Sequence, residues 1–412
     1  MIKFNKLDLI SIANRAFALA SGLAMVIMNV HYVQVSGQGE IALINFGILI
    51  TTTISQLVGG GALIFLAKKY HTSKFHLPTI VWVVISACIT GILSLLLHFP
   101  YILEIITLGI LQSVVIYIQM LQLAQGKISS YQLQLFSQAA FTPLFVFLFY
   151  SLGGFKVHSF IFGLSASLCI TLLLGVKSAI DKTPQPVGTS FQQKDLIKDF
   201  FHFGGFNQLA NLAHLGNQRI YIYLLEALLH QGYLLSGIFS IYLYIAEAIW
   251  TVTKSLSSIL ASQIAQSNEH TEHKSLFAKY IQLSMIGTVV LCSLALIFPK
   301  IFLTSYLNMN SDSIQMGLWL MIPAIVAHSI TVPISHLFSG LGLMKNNFYS
   351  ALIGMTGGLI SGLLLIPNMN MNGALISLSI GFISQCFIQL IFLRKWYQSK
   401  SNKSFTPKAL GT

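Results

Sequence analysis

Two positively charged residues, Arg219 and Lys254, lie within long apolar stretches of the sequence. A charge at the centre of a lipid bilayer costs about 2.5–3.5 kcal/mol on insertion scales, so such residues are functional or are paired with an opposite charge. Guanidinium and ammonium groups bind phosphate oxygens well. We therefore predict that both residues bind an anionic headgroup. Arg15 is a third candidate, although snorkelling of its side chain to the membrane surface is the simpler explanation.

Two acidic residues lie in register with these cations. Glu226 follows Arg219 by seven residues, and Glu247 precedes Lys254 by seven, so each pair shares one helix face. Glu247 has two interpretations: it neutralises Lys254 or Arg219, or it binds a coupling ion, H⁺ or Na⁺. Glu226 is a further candidate for either role. The sequence leaves these alternatives open.

Neutral polar residues also recur at helical spacing within apolar stretches. Four of them step by four, three and four residues, which places them on one helix face, and two glutamines share one side of an earlier helix. They either line a water-filled cavity or join neighbouring helices by hydrogen bonds. The cavity-lining candidates are Asn207, Asn211, His214, Gln218, Gln112 and Gln119.

The composition identifies the solvent in which these residues must act. Of the 412 residues, 55% are hydrophobic and only 8% are charged, whereas a soluble domain has about a quarter of its residues charged. Lipid is therefore the solvent of most of the surface. The net charge of +12 is spread thinly over loops, so no nucleic-acid partner is expected. The four cysteines stand singly, which predicts no metal site and no cofactor, and no catalytic constellation indicates an enzyme.

The apolar stretches predict an all-α polytopic membrane protein. A transmembrane helix needs about 20 apolar residues, and twelve stretches qualify. Their apolar runs are continuous rather than alternating, which favours helices over a β-barrel. The predicted spans are 8–33, 41–67, 78–99, 101–124, 131–150, 157–177, 199–228, 236–264, 276–298, 313–339, 347–366 and 373–393.

The distribution of lysine and arginine predicts the orientation. With twelve spans, 18 of the 23 basic residues fall on the side shared by both termini, and only 2 on the opposite side. Basic residues concentrate in cytoplasmic loops, so both termini are expected in the cytoplasm.

A polar stretch in mid-chain predicts two six-helix bundles of the same orientation, a parallel repeat. Residues Gly39 to Gln56 align with Gly237 to Lys254 at a constant offset, each segment starting with a glycine turn. The predicted domains are an N-lobe (1–177), a cytoplasmic linker (178–198), a C-lobe (199–393) and a basic cytoplasmic tail (394–412).

The chain resembles the multidrug/oligosaccharidyl-lipid/polysaccharide (MOP) exporter superfamily and, within it, the Wzx-type O-antigen flippases. The resemblance covers nearly the whole chain in length, span number, lobes and topology. An acidic residue that the family often has shortly after the asparagine of span seven is replaced here by Tyr221. Local similarities are Gly39 to Leu43, the glycines 59–61, Phe203 to Gly205, and Asn217 to Arg219.

The resemblance implies a MATE-like pair of helical bundles that works by alternating access in a bacterial inner membrane. The implied cargo is an undecaprenyl-pyrophosphate-linked oligosaccharide for O-antigen or capsule synthesis, and no covalent chemistry is needed. The partners would be this lipid-linked glycan, membrane lipids and a coupling ion.

Two rival functions remain open. A cation-coupled drug exporter of the same superfamily would favour acidic residues within the first six spans, where only Asp8 and Glu104 occur, both near span ends. An O-antigen polymerase or membrane glycosyltransferase would need large outward loops or an outward-facing acid. The predicted outward loops are short, about 15 residues or fewer, which argues against this enzyme.

Overall fold

A computed structural model describes residues 6–60, 62–67, 70–153, 156–180, 193–266, 270–307 and 311–403. The regular structure of these residues is helical. The helices are α1 (Lys6–Gly59), α2 (Ala62–Leu66), a 3-10 helix (Thr72–Phe75), α3 (His76–Leu96), α4 (Ile102–Ala124), α5 (Ile128–Ser151), α6 (Val157–Ile180), α7 (Gln193–Leu228), α8 (Gly232–Gln266), α9 (His270–Leu307), α10 (Ser311–Gly340) and α11 (Met344–Lys403).

The helices confirm a polytopic membrane protein with twelve spans. Among the described residues, nine helical segments are long and apolar enough to cross a membrane. Two of these, in α1 and α11, have 47 and 55 residues, more than twice the length that one crossing needs. Each therefore contains two spans. The 36-residue α7 is long enough to be the twelfth, but its polar face lowers its hydropathy.

The two longest helices break where turn residues predict a turn. The backbone is non-helical at Gln34 in α1, just before the glycines at 37 and 39, and at Asn370 in α11, between Pro367 and Gly373. Both residues have a positive backbone φ angle, 62° for Gln34 and 50° for Asn370, which residues other than glycine rarely adopt. Each break separates two predicted spans.

Helix α10 contains two prolines. Proline in a helix interior removes a backbone hydrogen bond and tends to kink or break the helix, yet helical structure continues past Pro323 and Pro333 from Ser311 to Gly340. Proline is tolerated in transmembrane helices because neighbouring helices and hydroxyl side chains satisfy the freed carbonyl groups.

The chain forms two compact units. Unit 1 contains Met1–Leu215 and Ile222–Tyr244, and unit 2 contains Gly216–Tyr221 and Ile245–Thr412. The division thus falls within α7 and α8, whereas the predicted lobes 1–177 and 199–393 divide at the linker; the lobes stay a prediction. Most of the linker (181–192) and the end of the tail (404–412) lie outside the described residues.

In unit 1, α1 and α8 cross with their backbones in contact. A methyl group at Gly39 would overlap the carbonyl oxygen of Tyr233, and one at Gly237 would overlap the carbonyl oxygen of Val35. Only glycine leaves room for two helices this close. Gly39 and Gly237 are also the two residues that begin the aligned repeat segments. The repeated glycines therefore meet each other at this crossing.

A buried polar network supports the α1 break beside this crossing. The Asn29 amide donates to Gln38 Oε1 across the break (3.0 Å), and the Gln38 amide donates to Ser240 Oγ in α8 (3.0 Å). Tyr150 of α5 donates its hydroxyl to Asn29 Oδ1 (2.9 Å). These bonds satisfy groups that lipid cannot solvate, so they hold the two halves of α1 at a defined angle.

We expect Gly39→Ala and Gly237→Ala each to lower the stability of the protein by roughly 1–3 kcal/mol or more, because the added methyl group must displace backbone. Thermal unfolding of the purified protein in detergent measures this effect. Gly22→Ala is the matched control in α1, since nothing lies within 4 Å of its added methyl group. Equal melting temperatures for Gly39→Ala and the control would contradict the close crossing.

Candidate functional site

The candidate site is built on α7 and α8. Because α7 is helical throughout Gln193–Leu228, its four predicted polar residues lie on one face. Their exposure differs along the face. Asn211 is exposed and its amide donates to Gln208 Oε1 in the preceding turn (3.1 Å), whereas Gln218 is buried. Asn207 and His214 are half-buried.

Arg219 forms an ion pair with Glu247 inside unit 2. A terminal guanidinium nitrogen, Nη2, donates to Glu247 Oε1 over 2.5 Å. The Arg219 side chain is 9% exposed and that of Glu247 is 23% exposed. A buried guanidinium without a counter-charge would be strongly destabilising, so this carboxylate accounts for Arg219 within an apolar helix pair. Of the two acids in register with the cations, the structure pairs Glu247 with Arg219.

Lys254 lies two turns beyond Glu247 on α8. Its side chain is half-buried, and it is close enough to interact electrostatically with both Glu247 and Arg219. No acidic residue in the described part of the chain forms an ion pair with Lys254. Counted as one carboxylate and two cations, these three residues have a formal net charge of +1. We call them the α7–α8 charge cluster.

Trp250 lies between Glu247 and Lys254 in sequence and anchors this part of α8. It is fully buried, and its indole nitrogen donates to the carbonyl oxygen of Ile325 in α10 (3.3 Å). His328 packs edge-on against it with ring centroids 4.3 Å apart, and Phe382 packs against both rings. This aromatic core fixes the rotation of α8, and therefore the direction of the charged residues on either side of Trp250.

The structure places the other predicted site residues elsewhere. Glu226, at the end of α7, belongs to unit 1 and forms a hydrogen bond with Tyr233. Arg15 is exposed on the first half of α1, with Tyr131 within electrostatic range. Neither residue joins the Arg219–Glu247 pair in unit 2.

Gln112 and Gln119 take part in contacts between helices. The Gln119 amide donates to Gln138 Oε1 of α5 (3.3 Å), and the Gln138 amide donates to Gln112 Oε1 (3.0 Å). This arrangement joins α4 to α5 through three amide side chains. Their role as cavity-lining residues stays a prediction.

Asn217, for which no role in the site was predicted, is fully buried in unit 2 next to Arg219 in sequence. It packs against glycines of α11: a methyl group at Gly381 would overlap its Oδ1, and one at Gly358 would lie 3.0 Å from the same atom. The glycines at 354, 358 and 381 in the last two spans are the sequence feature that could have predicted this contact. Small residues at helical spacing mark a close helix contact.

The described residues contain no group of three or more His, Cys, Asp or Glu side chains that could hold a metal ion. The α7–α8 charge cluster offers a guanidinium, a carboxylate and an ammonium group, which form charge pairs and hydrogen bonds.

Solved structures of known transporters share the fold of this chain. Its structural neighbours are multidrug and toxic compound extrusion (MATE) transporters of the MOP superfamily. DinF-BH, a MATE multidrug transporter, matches with a TM-score of 0.71 at 11% identity over 94% of this chain and 95% of its own.

Two further solved structures agree with this assignment of the fold. The Vibrio cholerae MATE transporter VcmN matches with a TM-score of 0.66 at 13% identity, over 94% of this chain and 95% of its own. An inward-facing multidrug resistance MATE family transporter of the MOP superfamily matches with a TM-score of 0.64 at 13% identity, over 98% and 97%. No protein-family model and no curated protein sequence matches the chain. The fold is therefore that of MATE transporters, and the neighbours are transporters rather than enzymes.

The ion pair makes a quantitative prediction for a double-mutant cycle. We expect Arg219→Ala and Glu247→Ala each to lower the free energy of unfolding by about 3–5 kcal/mol, because each leaves one charge without its partner. The double variant should lose less than the sum of the two, since both charges are gone. Unfolding of the purified protein by denaturing detergent measures these differences. Lys177→Ala, which removes an exposed cation, is the control and should stay within 0.5 kcal/mol of the parent. Strict additivity would mean that the pair is not coupled.

Proposed function

We propose that this protein is a flippase of the Wzx type. It would move a polyprenyl-pyrophosphate-linked oligosaccharide from the cytoplasmic to the outer leaflet of a bacterial inner membrane for O-antigen or capsule synthesis. The MATE-like fold supports membrane transport by alternating access. The sequence resemblance and the net charge of the α7–α8 cluster support this particular cargo.

The proposal rests on Lys254, an intramembrane lysine without an ion-pair partner in the described residues. An intramembrane cation is expensive, and the nearest carboxylate in register, Glu247, is already paired with Arg219. A cationic substrate would be repelled by the remaining charge. A pyrophosphate diester is attracted by it and offers several oxygens that accept charge-assisted hydrogen bonds. The charge balance therefore favours an anionic cargo.

The ion pair suggests how the headgroup would be received. Lys254 would contact the pyrophosphate first, since its ammonium group forms no ion pair within the described residues. Arg219 would then exchange the Glu247 carboxylate for a phosphate oxygen, which makes an equivalent bond to the guanidinium. Glu247, once released, would become available to H⁺ or Na⁺. In this scheme Glu247 serves both as charge partner and as coupling residue, the two roles that the sequence left open.

The remaining parts of the proposal follow from the topology. The asymmetry of basic residues supports cytoplasmic termini, and it supports the N-lobe (1–177) and C-lobe (199–393) as bundles of the same orientation. The polar face of α7 would line the translocation path, where amide groups can bond to sugar hydroxyls. The tail (394–412) would lie on the cytoplasmic side.

A cation-coupled drug exporter is the alternative function, and the fold supports it equally. Two of the structural neighbours, DinF-BH and the inward-facing MATE family transporter, are multidrug transporters. The positive balance of the α7–α8 charge cluster separates the two functions, because an exporter of cationic drugs requires a net negative site. The decisive comparison is therefore between a pyrophosphate-linked lipid and a cationic dye as cargo.

We expect Lys254→Gln to slow transport of a fluorescent polyprenyl-pyrophosphate oligosaccharide about 10- to 100-fold, which corresponds to loss of one charge-assisted hydrogen bond. Lys254→Arg should retain most of the rate because it keeps the charge. The measurement uses the purified chain in vesicles and a membrane-impermeant quencher that reports the leaflet of the label. Lys177→Gln, which removes an exposed cation outside the cluster, is the control.

Three outcomes are informative. Loss in Lys254→Gln with retention in Lys254→Arg supports an anionic cargo bound at this cluster. Transport that is unaffected by Lys254→Gln would remove Lys254 from the binding site. Export of a cationic dye by the parent protein, without movement of the lipid, would establish the alternative function.

A further inference from the structure

One end of unit 2 carries a group of exposed basic residues on two different helices. Lys274 and Lys279 lie in the first three turns of α9, and Arg394 and Lys395 follow the last apolar turn of α11. All four side chains are exposed. Because α9 enters its apolar stretch here and α11 leaves its own, the four residues lie at the level of a membrane surface. We call them the α9–α11 basic cluster.

A shared hydrophobic core brings the two helices together at this end. Phe277 and Tyr280 of α9 pack in one cluster with Leu393 and Trp396 of α11. Each basic residue lies within four positions of one of these buried side chains. The four cations therefore surround a single core, although more than 100 residues separate them in sequence.

Aromatic rings hold two of the cations in place. Lys274 Nζ lies 5.1 Å from the centre of the Tyr397 ring, which links α9 directly to α11. Lys279 Nζ lies 5.8 Å from the centre of the Tyr280 ring. Tyrosine and tryptophan are enriched at the headgroup level of membranes, and a cation over a ring keeps its charge available to an anion.

No anionic partner of the cluster is found in the part of the chain that the structure describes. Among the described residues, none of the four cations forms an ion pair, and Glu272 is the acidic residue closest in sequence. Four exposed like charges around one core repel one another, and a membrane surface offers the counter-charge. The complement is the phosphate of a lipid headgroup, since its tails can lie against the exposed apolar surface of α9 below the cations, such as Ile286 and Val290.

We propose that the α9–α11 basic cluster is a binding site for an anionic phospholipid, with the headgroup phosphate held by Lys274 and Arg394 beside Tyr397. The site is separate from the α7–α8 charge cluster and does not depend on the proposed cargo. A bound lipid at this place would bridge α9 and α11 and stabilise their contact. Lipids with a neutral zwitterionic headgroup would bind weakly because they add no net charge.

The test measures lipid binding to the purified full chain. The protein is titrated in mixed micelles with dioleoylphosphatidylglycerol or dioleoylphosphatidylcholine, and native mass spectrometry counts the lipids retained. We expect saturable retention of phosphatidylglycerol and little retention of phosphatidylcholine. A basic residue near a membrane surface contributes about fivefold in affinity to an anionic lipid, so Lys274→Gln with Arg394→Gln should raise the half-saturating concentration about 25-fold.

A matched control separates a defined site from net charge. Lys156→Gln with Lys177→Gln removes two exposed cations from unit 1 and changes the net charge equally. Its half-saturating concentration should stay at the parent value. If the two double variants lose affinity equally, or if neither loses affinity, the proposed site does not exist. Should the first double variant fail to fold, the single variants Lys274→Gln and Arg394→Gln replace it, and each should raise the half-saturating concentration about fivefold. Transport of the oligosaccharide lipid is measured separately, so failure of one proposal leaves the other intact.

Discussion

The inability of lipid to solvate charge is the constraint on which the interior of this protein depends. Arg219 is nearly fully buried in a helix surrounded by apolar residues, so its guanidinium requires a carboxylate, and Glu247 of the next helix provides it. In that pair the charges of Arg219 and Glu247 neutralise each other, and the charge of Lys254 is not neutralised by an ion pair within the described residues. The surplus of one positive charge, held two turns away on α8, is what makes the cluster a candidate for binding an anion.

The same constraint explains hydrogen bonds between neutral polar residues inside the spans. Asn29, Gln38 and Tyr150 bond to one another across the break in α1, and Gln112, Gln119 and Gln138 join α4 to α5. Each of these hydrogen bonds joins two helical segments, and the cavity-lining role of Gln112 and Gln119 stays a prediction. Lys254 differs from these residues because it carries a charge and has no ion-pair partner in the described chain.

Close backbone contact at glycine is the second way in which the helices are held. Gly39 and Gly237 meet where α1 crosses α8, and they occupy the same place in the aligned repeat segments. Asn217 is enclosed in the same way by glycines of α11. The half of α8 that contains Gly237 accordingly belongs to unit 1, while the half that contains Glu247 and Lys254 belongs to unit 2.

The sequence alone determined the twelve spans, the breaks near Gln34 and Asn370, and the shared faces of α7 and α8, because hydropathy, turn residues and helical periodicity are local properties of the chain. It could not determine the partner of Arg219, since Glu226 is in register with it on α7, whereas Glu247 lies on another helix. Periodicity gives the angle of a side chain around its own helix but not the distance to a neighbouring one. The packing of Trp250 against His328 and Phe382 fixes the rotation of α8, and only that tertiary contact decided that Glu247 faces Arg219.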